Sequence, residues 1–134
     1  MSTSLSVFTL YRDTVGAVRW LTEAFGFEVV SAFGEEEGSI DHAELRLGEA
    51  VVMVQRAAEG QGASPVVDSS TNRAPVLCPG EEAAVDVLYE RVRAAGATTV
   101  IAPETTAWGN RRFEALDPEG HQWSVGAYRP GQGW

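Results

Sequence analysis

A single cysteine in 134 residues excludes an internal disulfide, and with no CxxC pair or Cys/His cluster there is no ligand set for a structural zinc. Cys78 is therefore expected as a small core residue. Basic side chains are scarce: ten Lys and Arg against nineteen Asp and Glu give a formal net charge of -9. A surface of that sign repels phosphate backbones and anionic headgroups, which excludes nucleic acid and membrane as partners. Plain solubility explains the charge, and so does attraction of a cationic ligand. No apolar run approaches the ~20 residues of a membrane helix, and Met1 is followed by a polar Ser-Thr-Ser stretch, so a cytoplasmic location is expected. Nucleophile elbow, Walker loop and dinucleotide fingerprint are missing too.

What is present is ordinary globular usage, 44% hydrophobic and 22% charged, at a length that supports one domain with a core. Leu5 to Tyr11 is predicted as a strand. Asp13 or Thr14 caps a helix to about Phe25 with an apolar stripe of Val15, Val18, Leu21, Ala24 and Phe25, and Gly26 stops it. Strands follow over Phe27 to Phe33, Asp41 to Leu47 and Ala50 to Gln55, with Gly34 to Gly38 as an exposed loop. The pattern then repeats. Residues 57–70 read as a connection, Arg73 to Cys78 as a short strand, and Glu81 to Ala95 as a helix with stripe Ala84, Val85, Leu88 and Val92. Thr98 to Ala102, Arg111 to Leu116 and Gln122 to Tyr128 supply three more strands.

The helix stops Gly26 and Gly96 and the turn residues Gly48 and Gly120 recur at nearly constant offset, as a duplicated unit requires. The fold class is therefore α+β, with two tandem βαβββ modules over about 1–56 and 71–129. The modules are expected to form a curved mixed eight-stranded sheet around a central cleft, with the helices outside.

Around the turn Gly48-Glu49, Leu47 is opposite Ala50, so Arg46 faces Val51, Leu45 faces Val52 and Glu44 faces Met53. Alternation then sends Ala43, Leu45, Leu47, Val52 and Val54 to the helices and leaves His42, Glu44, Arg46, Met53 and Gln55 on the cleft side. The same count places Phe113, Ala115, Trp123 and Val125 in the core. Arg112, Glu114, Gln122, Ser124 and Gly126 fall on the cleft side. A polar inner face is a ligand-site pattern, although exposure to water explains it equally well. Trp108 and Phe33 are candidates to stack on a ligand and candidates for the core.

The segments carrying these residues resemble a known family. Trp108-Gly-Asn-Arg-Arg-Phe-Glu-Ala-Leu-Asp-Pro-Glu-Gly-His121-Gln-Trp123 is similar to the terminal signature of the vicinal oxygen chelate superfamily. That superfamily includes glyoxalase I, fosfomycin resistance enzymes, extradiol dioxygenases and bleomycin resistance proteins. Tyr11 to Asp13, Phe25 to Phe27 and His42 to Met53 resemble its first half. The resemblance implies a homodimer and, in metal-dependent members, ligands on the first and last strands of each module. Those positions here read Ser6, Met53, Arg73 or Ala74, and Ser124, a set poorly suited to a divalent cation. The pattern is thus similar to the metal-free bleomycin-resistance-like branch. No cofactor is expected, with one divalent ion as the alternative. His121 is expected to hydrogen-bond backbone in its turn.

The leading expectation is metal-independent binding of a small cationic or aromatic molecule, such as an antibiotic or metabolite. Charge would come from Glu35, Glu36, Glu37, Glu44 and Glu114 and stacking from Trp108 and Phe33, a planar cation over an aromatic ring contributing ~0.5 to 2 kcal/mol. The alternative is an enzyme of the same superfamily: a metal-dependent lyase, isomerase or dioxygenase with a relocated site, or a metal-free isomerase using His42 and Glu44 as acid and base. The tail from Tyr128 to Trp134 has no assigned role.

Overall fold

The structure, a computed structural model, describes residues 3–59 and 74–131. Contacts divide the chain into two compact units, Met1–Asn72 and Arg73–Trp134. Arg73, Trp134 and most of the expected connection (60–70) lie outside the described residues.

The first unit runs β1 (Val7–Tyr11), α1 (Thr14–Phe25), β2 (Glu28–Phe33), β3 (His42–Leu47) and β4 (Ala50–Arg56). Its sheet has the order β1-β4-β3-β2, with β1 parallel to β4 and the other pairs antiparallel. Helix α1 starts where the Asp13 carboxylate accepts the Gly16 N–H at 2.9 Å. It ends at Gly26, whose φ of 85° lets its own N–H reach the Thr22 carbonyl while the Phe27 N–H reaches that of Leu21. The helix buries Thr14, Ala17, Trp20, Leu21, Ala24 and Phe25 against a sheet face made of Ala43, Leu45, Val52 and Val54.

That stripe corrects the expected one. Val15 is exposed and Val18 only half-buried, because the face is anchored by Trp20, stacked edge-on against Phe25, and by Thr14, whose hydroxyl donates to the Ile40 carbonyl. Hydrophobicity alone favoured the two valines. The observed i, i+3, i+4 spacing runs through Thr14 and Ala17 instead.

The second unit repeats the plan with β5 (Val76–Leu77), α2 (Glu82–Ala94), β6 (Thr98–Thr105), β7 (Arg111–Leu116) and β8 (Gln122–Gly126), sheet order β5-β8-β7-β6. Val85 and Val92 of α2 are fully buried, and Tyr89 meets Phe113 edge-on at 5.3 Å between ring centres. Arg111 clamps the helix to β7 by donating Nε and Nη2 to the two carboxylate oxygens of Asp86. Cys78 is half-buried, its thiol 3.4 Å from the Ala127 carbonyl. Strand β6 extends past the expected end at Ala102. It is an edge strand whose pairing is interrupted between Ile101 and Glu104, the one kind of strand position that tolerates Pro103. Asp117, 5% exposed, organises the β7–β8 turn: it accepts the N–H groups of Glu119 and His121 and the indole N–H of Trp123.

Candidate ligand-binding face

The pairing of β3 with β4 is the one counted from the turn, Leu47 opposite Ala50 through His42 opposite Gln55. With the helix on one side of the first sheet, the other side carries cross-strand rows. One is Phe33, His42, Gln55 and Leu10; the next is Ser31, Glu44, Met53 and Phe8; a third includes Glu28, Arg46 and Val51. His42, Glu44, Arg46, Met53, Gln55 and Phe33 thus share one open face.

His42 heads β3 in the end row of this face, with an acceptor at each ring nitrogen. Its Nδ1 lies 3.0 Å from Gln55 Oε1 and its Nε2 lies 3.1 Å from Glu44 Oε2. Donating from both nitrogens requires the protonated ring. The Gln55 oxygen, and then the Glu44 carboxylate, hold the His42 pKa above the ordinary histidine value of 6.5, against a smaller opposing effect of burial.

Aromatic surface flanks these polar groups. Phe8 on β1 is 55% exposed and Phe33 on β2 is 63% exposed. Their strands lie at opposite edges of a four-stranded sheet, which at the usual strand spacing separates them by about 14 Å. Phe8 and Leu10 were not among the sequence candidates. Their signal was the alternation within Leu5 to Tyr11, which becomes informative only once β1 is known to pair in parallel with β4.

Beyond the end of β2, Glu35, Glu36, Ser39, Asp41 and Arg56 line a polar hollow of about 290 Å³. Asp41 closes this loop by accepting the Glu35 N–H at 3.0 Å and Arg56 Nε at 2.9 Å. Those two bonds hold its carboxyl below the usual carboxylate range.

The second unit holds the remaining candidates. Arg112, Glu114 and Ser124 share the face turned from α2, in the rows Glu104, Arg112, Gly126 and Ile101, Glu114, Ser124, Val76. Arg112 Nη2 donates to Glu104 Oε1 at 3.0 Å and Nη1 lies 3.8 Å from Glu114 Oε1, while Gln122 Nε2 donates to Glu114 Oε2. Trp108 belongs to the β6–β7 loop, 53% exposed and edge-on to Tyr128 at 5.7 Å. Of the ten predicted residues, six thus lie on one face of the first unit, three on one face of the second, and Trp108 on a loop of the second.

The register also shows which first-strand residues flank the last-strand positions. Beside Met53 the first-strand residue is Phe8, and beside Ser124 it is Val76. Phenylalanine, methionine, valine and serine do not form a donor set for a divalent cation. Among the described residues no three His, Cys, Asp or Glu side chains come together as a metal cluster.

This arrangement of two βαβββ units has a family. The profile of the Glyoxalase/Bleomycin resistance protein/Dioxygenase superfamily matches residues 7–125, and the chain belongs to that superfamily. An uncharacterised protein of Mycobacterium bovis is 30% identical over 124 residues, which cover 92% of this chain and 82% of that one. Among solved structures, TioX from Micromonospora sp. ML1 superposes with a TM-score of 0.76 at 30% identity, covering 96% of this chain and all of that one. The fosfomycin resistance protein FosX of Listeria monocytogenes, complexed with Mn(II) and 1S,2S-dihydroxypropylphosphonic acid, shares the fold at a TM-score of 0.72 and 14% identity, covering 98% and 95% of the two chains. No described helix is long and apolar enough to cross a membrane.

Proposed function

We propose that this protein binds a small organic molecule, cationic and aromatic in character, on the open face of its first sheet, without a metal, as a sequestering or resistance-type protein of the cytoplasm. The observation that carries this reading is the placement of the Glu44 carboxylate between two exposed phenylalanines, Phe8 and Phe33. A carboxylate offers charge to a cation, and aromatic faces add ~0.5 to 2 kcal/mol each when a planar cation lies over them. Membership of a superfamily whose description includes bleomycin resistance protein supports the same reading.

The test is a thermal-shift and calorimetric screen of chelator-treated protein against planar organic cations on one side and Zn, Mn, Ni and Fe(II) on the other. Saturating ligand raises stability by about 3 kcal/mol at a hundredfold excess over its Kd. Stabilisation by organic cations, weakened in Phe33→Ala and Glu44→Gln, is the expected result. Stabilisation by a metal alone would move the assignment to a metalloenzyme. That second reading draws on the 3.1 Å approach of His42 Nε2 to Glu44 Oε2, a nitrogen and an oxygen close enough to share one ion. A homodimer is part of the proposal, and light scattering of the full chain tests it.

A further inference from the structure

His42 Nε2 and Glu44 Oε2 lie 3.1 Å apart, and Nδ1 of the same ring faces Gln55 Oε1 at 3.0 Å. With Gln55 accepting from Nδ1, the tautomer of a neutral ring is fixed and its lone pair points at the carboxylate. In the protonated ring Nε2 carries a hydrogen that the Glu44 carboxylate accepts, which sets a positive charge against a negative one. The pair is part-exposed, 32% and 44% for the two side chains, so it exchanges with solvent and can be displaced.

We propose that His42 is a built-in competitor for the ligand's charge: a cationic ligand takes Glu44 only by displacing the protonated imidazole, so that each binding event expels one proton to solvent and affinity rises with pH. This rests on the reading of the face as a cation-binding surface, and it makes Gln55 a specificity-determining residue that never needs to touch the ligand. By stabilising the protonated ring, Gln55 raises the affinity a cation must have before it can displace His42. Neutral aromatics gain nothing from Glu44 and are left to the phenylalanines alone.

The other charges near His42 do not supply this behaviour. On β3 the neighbours on the same face are Glu44 and Arg46; β2 contributes Glu28, in the row of Arg46, with Ser31 and Phe33 nearer; β4 and β1 contribute the uncharged Met53, Gln55, Phe8 and Leu10. Asp41, next in the chain, is held by Arg56 and by the Glu35 N–H, with its carboxyl below the usual range, so it stays ionised where histidine titrates. His42 is left as the group that changes charge near neutrality.

The experiment is a fluorescence titration of the full chain with ethidium, a planar aromatic cation that does not itself titrate, at steps from about pH 5.5 to 8.5 across the histidine range. The expected wild-type result is affinity that rises with pH, by no more than tenfold per unit because a single proton is released, and levels off above the His42 pKa. His42→Gln should bind with a flat pH profile at the high-pH affinity, and Gln55→Leu should move the rise to lower pH. In the wild type, the His42 ring resonance, distinguished from that of His121, should titrate at lower pH when ethidium saturates the protein, a readout that requires no variant to fold. PH-independent binding by the wild type, or a slope that persists in His42→Gln, overturns this inference and leaves the cation-binding reading standing. Absence of ethidium binding at every pH overturns both.

Discussion

Glu44 and Glu114 hold the same place in the two repeats but are tied to different partners. Each is the strand partner of the last-strand residue, Met53 or Ser124, which in turn pairs with a first-strand residue, Phe8 or Val76. Glu44 meets the imidazole of His42, and its side chain is 44% exposed; Glu114 lies near the guanidinium of Arg112, accepts from Gln122 and is 14% exposed.

That difference in burial sets the cost of losing the partner. Arg112→Met removes the charge opposite a carboxylate that is largely withdrawn from water and also frees Glu104, so it should destabilise by about 1 to 3 kcal/mol. His42→Gln leaves Glu44 free to hydrate and should cost under about 1 kcal/mol. Urea denaturation of the two variants checks the order. Equal costs would mean that the second sheet's network is not what neutralises Glu114.

Asp117 presents a sharper case, because three donors converge on one buried carboxylate: the N–H groups of Glu119 and His121 and the Trp123 indole, at 2.9 to 3.1 Å. Asp117→Ala should lower stability by about 2 to 4 kcal/mol, since the indole loses its acceptor inside the core. Asp117→Asn keeps one acceptor oxygen and should lose less. The measurement is the denaturation midpoint, with Trp123 fluorescence reporting whether the indole becomes hydrated.

These residues also show how far the sequence was legible. The register of β3 on β4 could be counted because a short turn at Gly48 fixes it locally. The pairing of β1 with β4 could not be counted, because a parallel pair is joined through a helix and no turn sets its register. That is why Phe8 was not among the sequence candidates. The buried stripe of α1 was misjudged for a different reason: Thr14 and Trp20 owe their burial to one hydroxyl bond and one ring contact, neither of which hydropathy records. His42, Glu44 and Gln55 were placed on one face by alternation alone, but the two hydrogen bonds that join them depend on side-chain rotamers.

The raised pKa of His42 also links stability to pH. Because the folded value lies above the unfolded 6.5, the contribution is fully present below the unfolded pKa and is lost as pH rises through the folded one. Wild type should therefore lose stability relative to His42→Gln on going from about pH 6 to 8. The size stays under about 1 kcal/mol because both partners are part-exposed and screened. Parallel urea titrations at the two pH values measure it. A difference of opposite sign would mean that the neutral ring is the form the fold prefers.

The start of α1 offers a prediction in which two substitutions change each other's sign. Asp13 caps the helix through Gly16 N–H at 2.9 Å, and a Cβ on Gly16 would come within 2.3 Å of the Asp13 carboxylate oxygen. Glycine inside a helix costs roughly 0.5 to 1 kcal/mol relative to alanine, so Gly16→Ala carries an intrinsic gain. In the wild type that gain is offset by expulsion of the cap, itself a contribution of about 1 kcal/mol, and the net effect should be neutral or destabilising. Once Asp13→Ala has removed the carboxylate, the clash is gone and Gly16→Ala should stabilise by its full amount. A double-mutant cycle on these two positions should return a coupling of about 1 kcal/mol. Strict additivity would show that the cap and the glycine do not meet in solution as they do at the head of this helix.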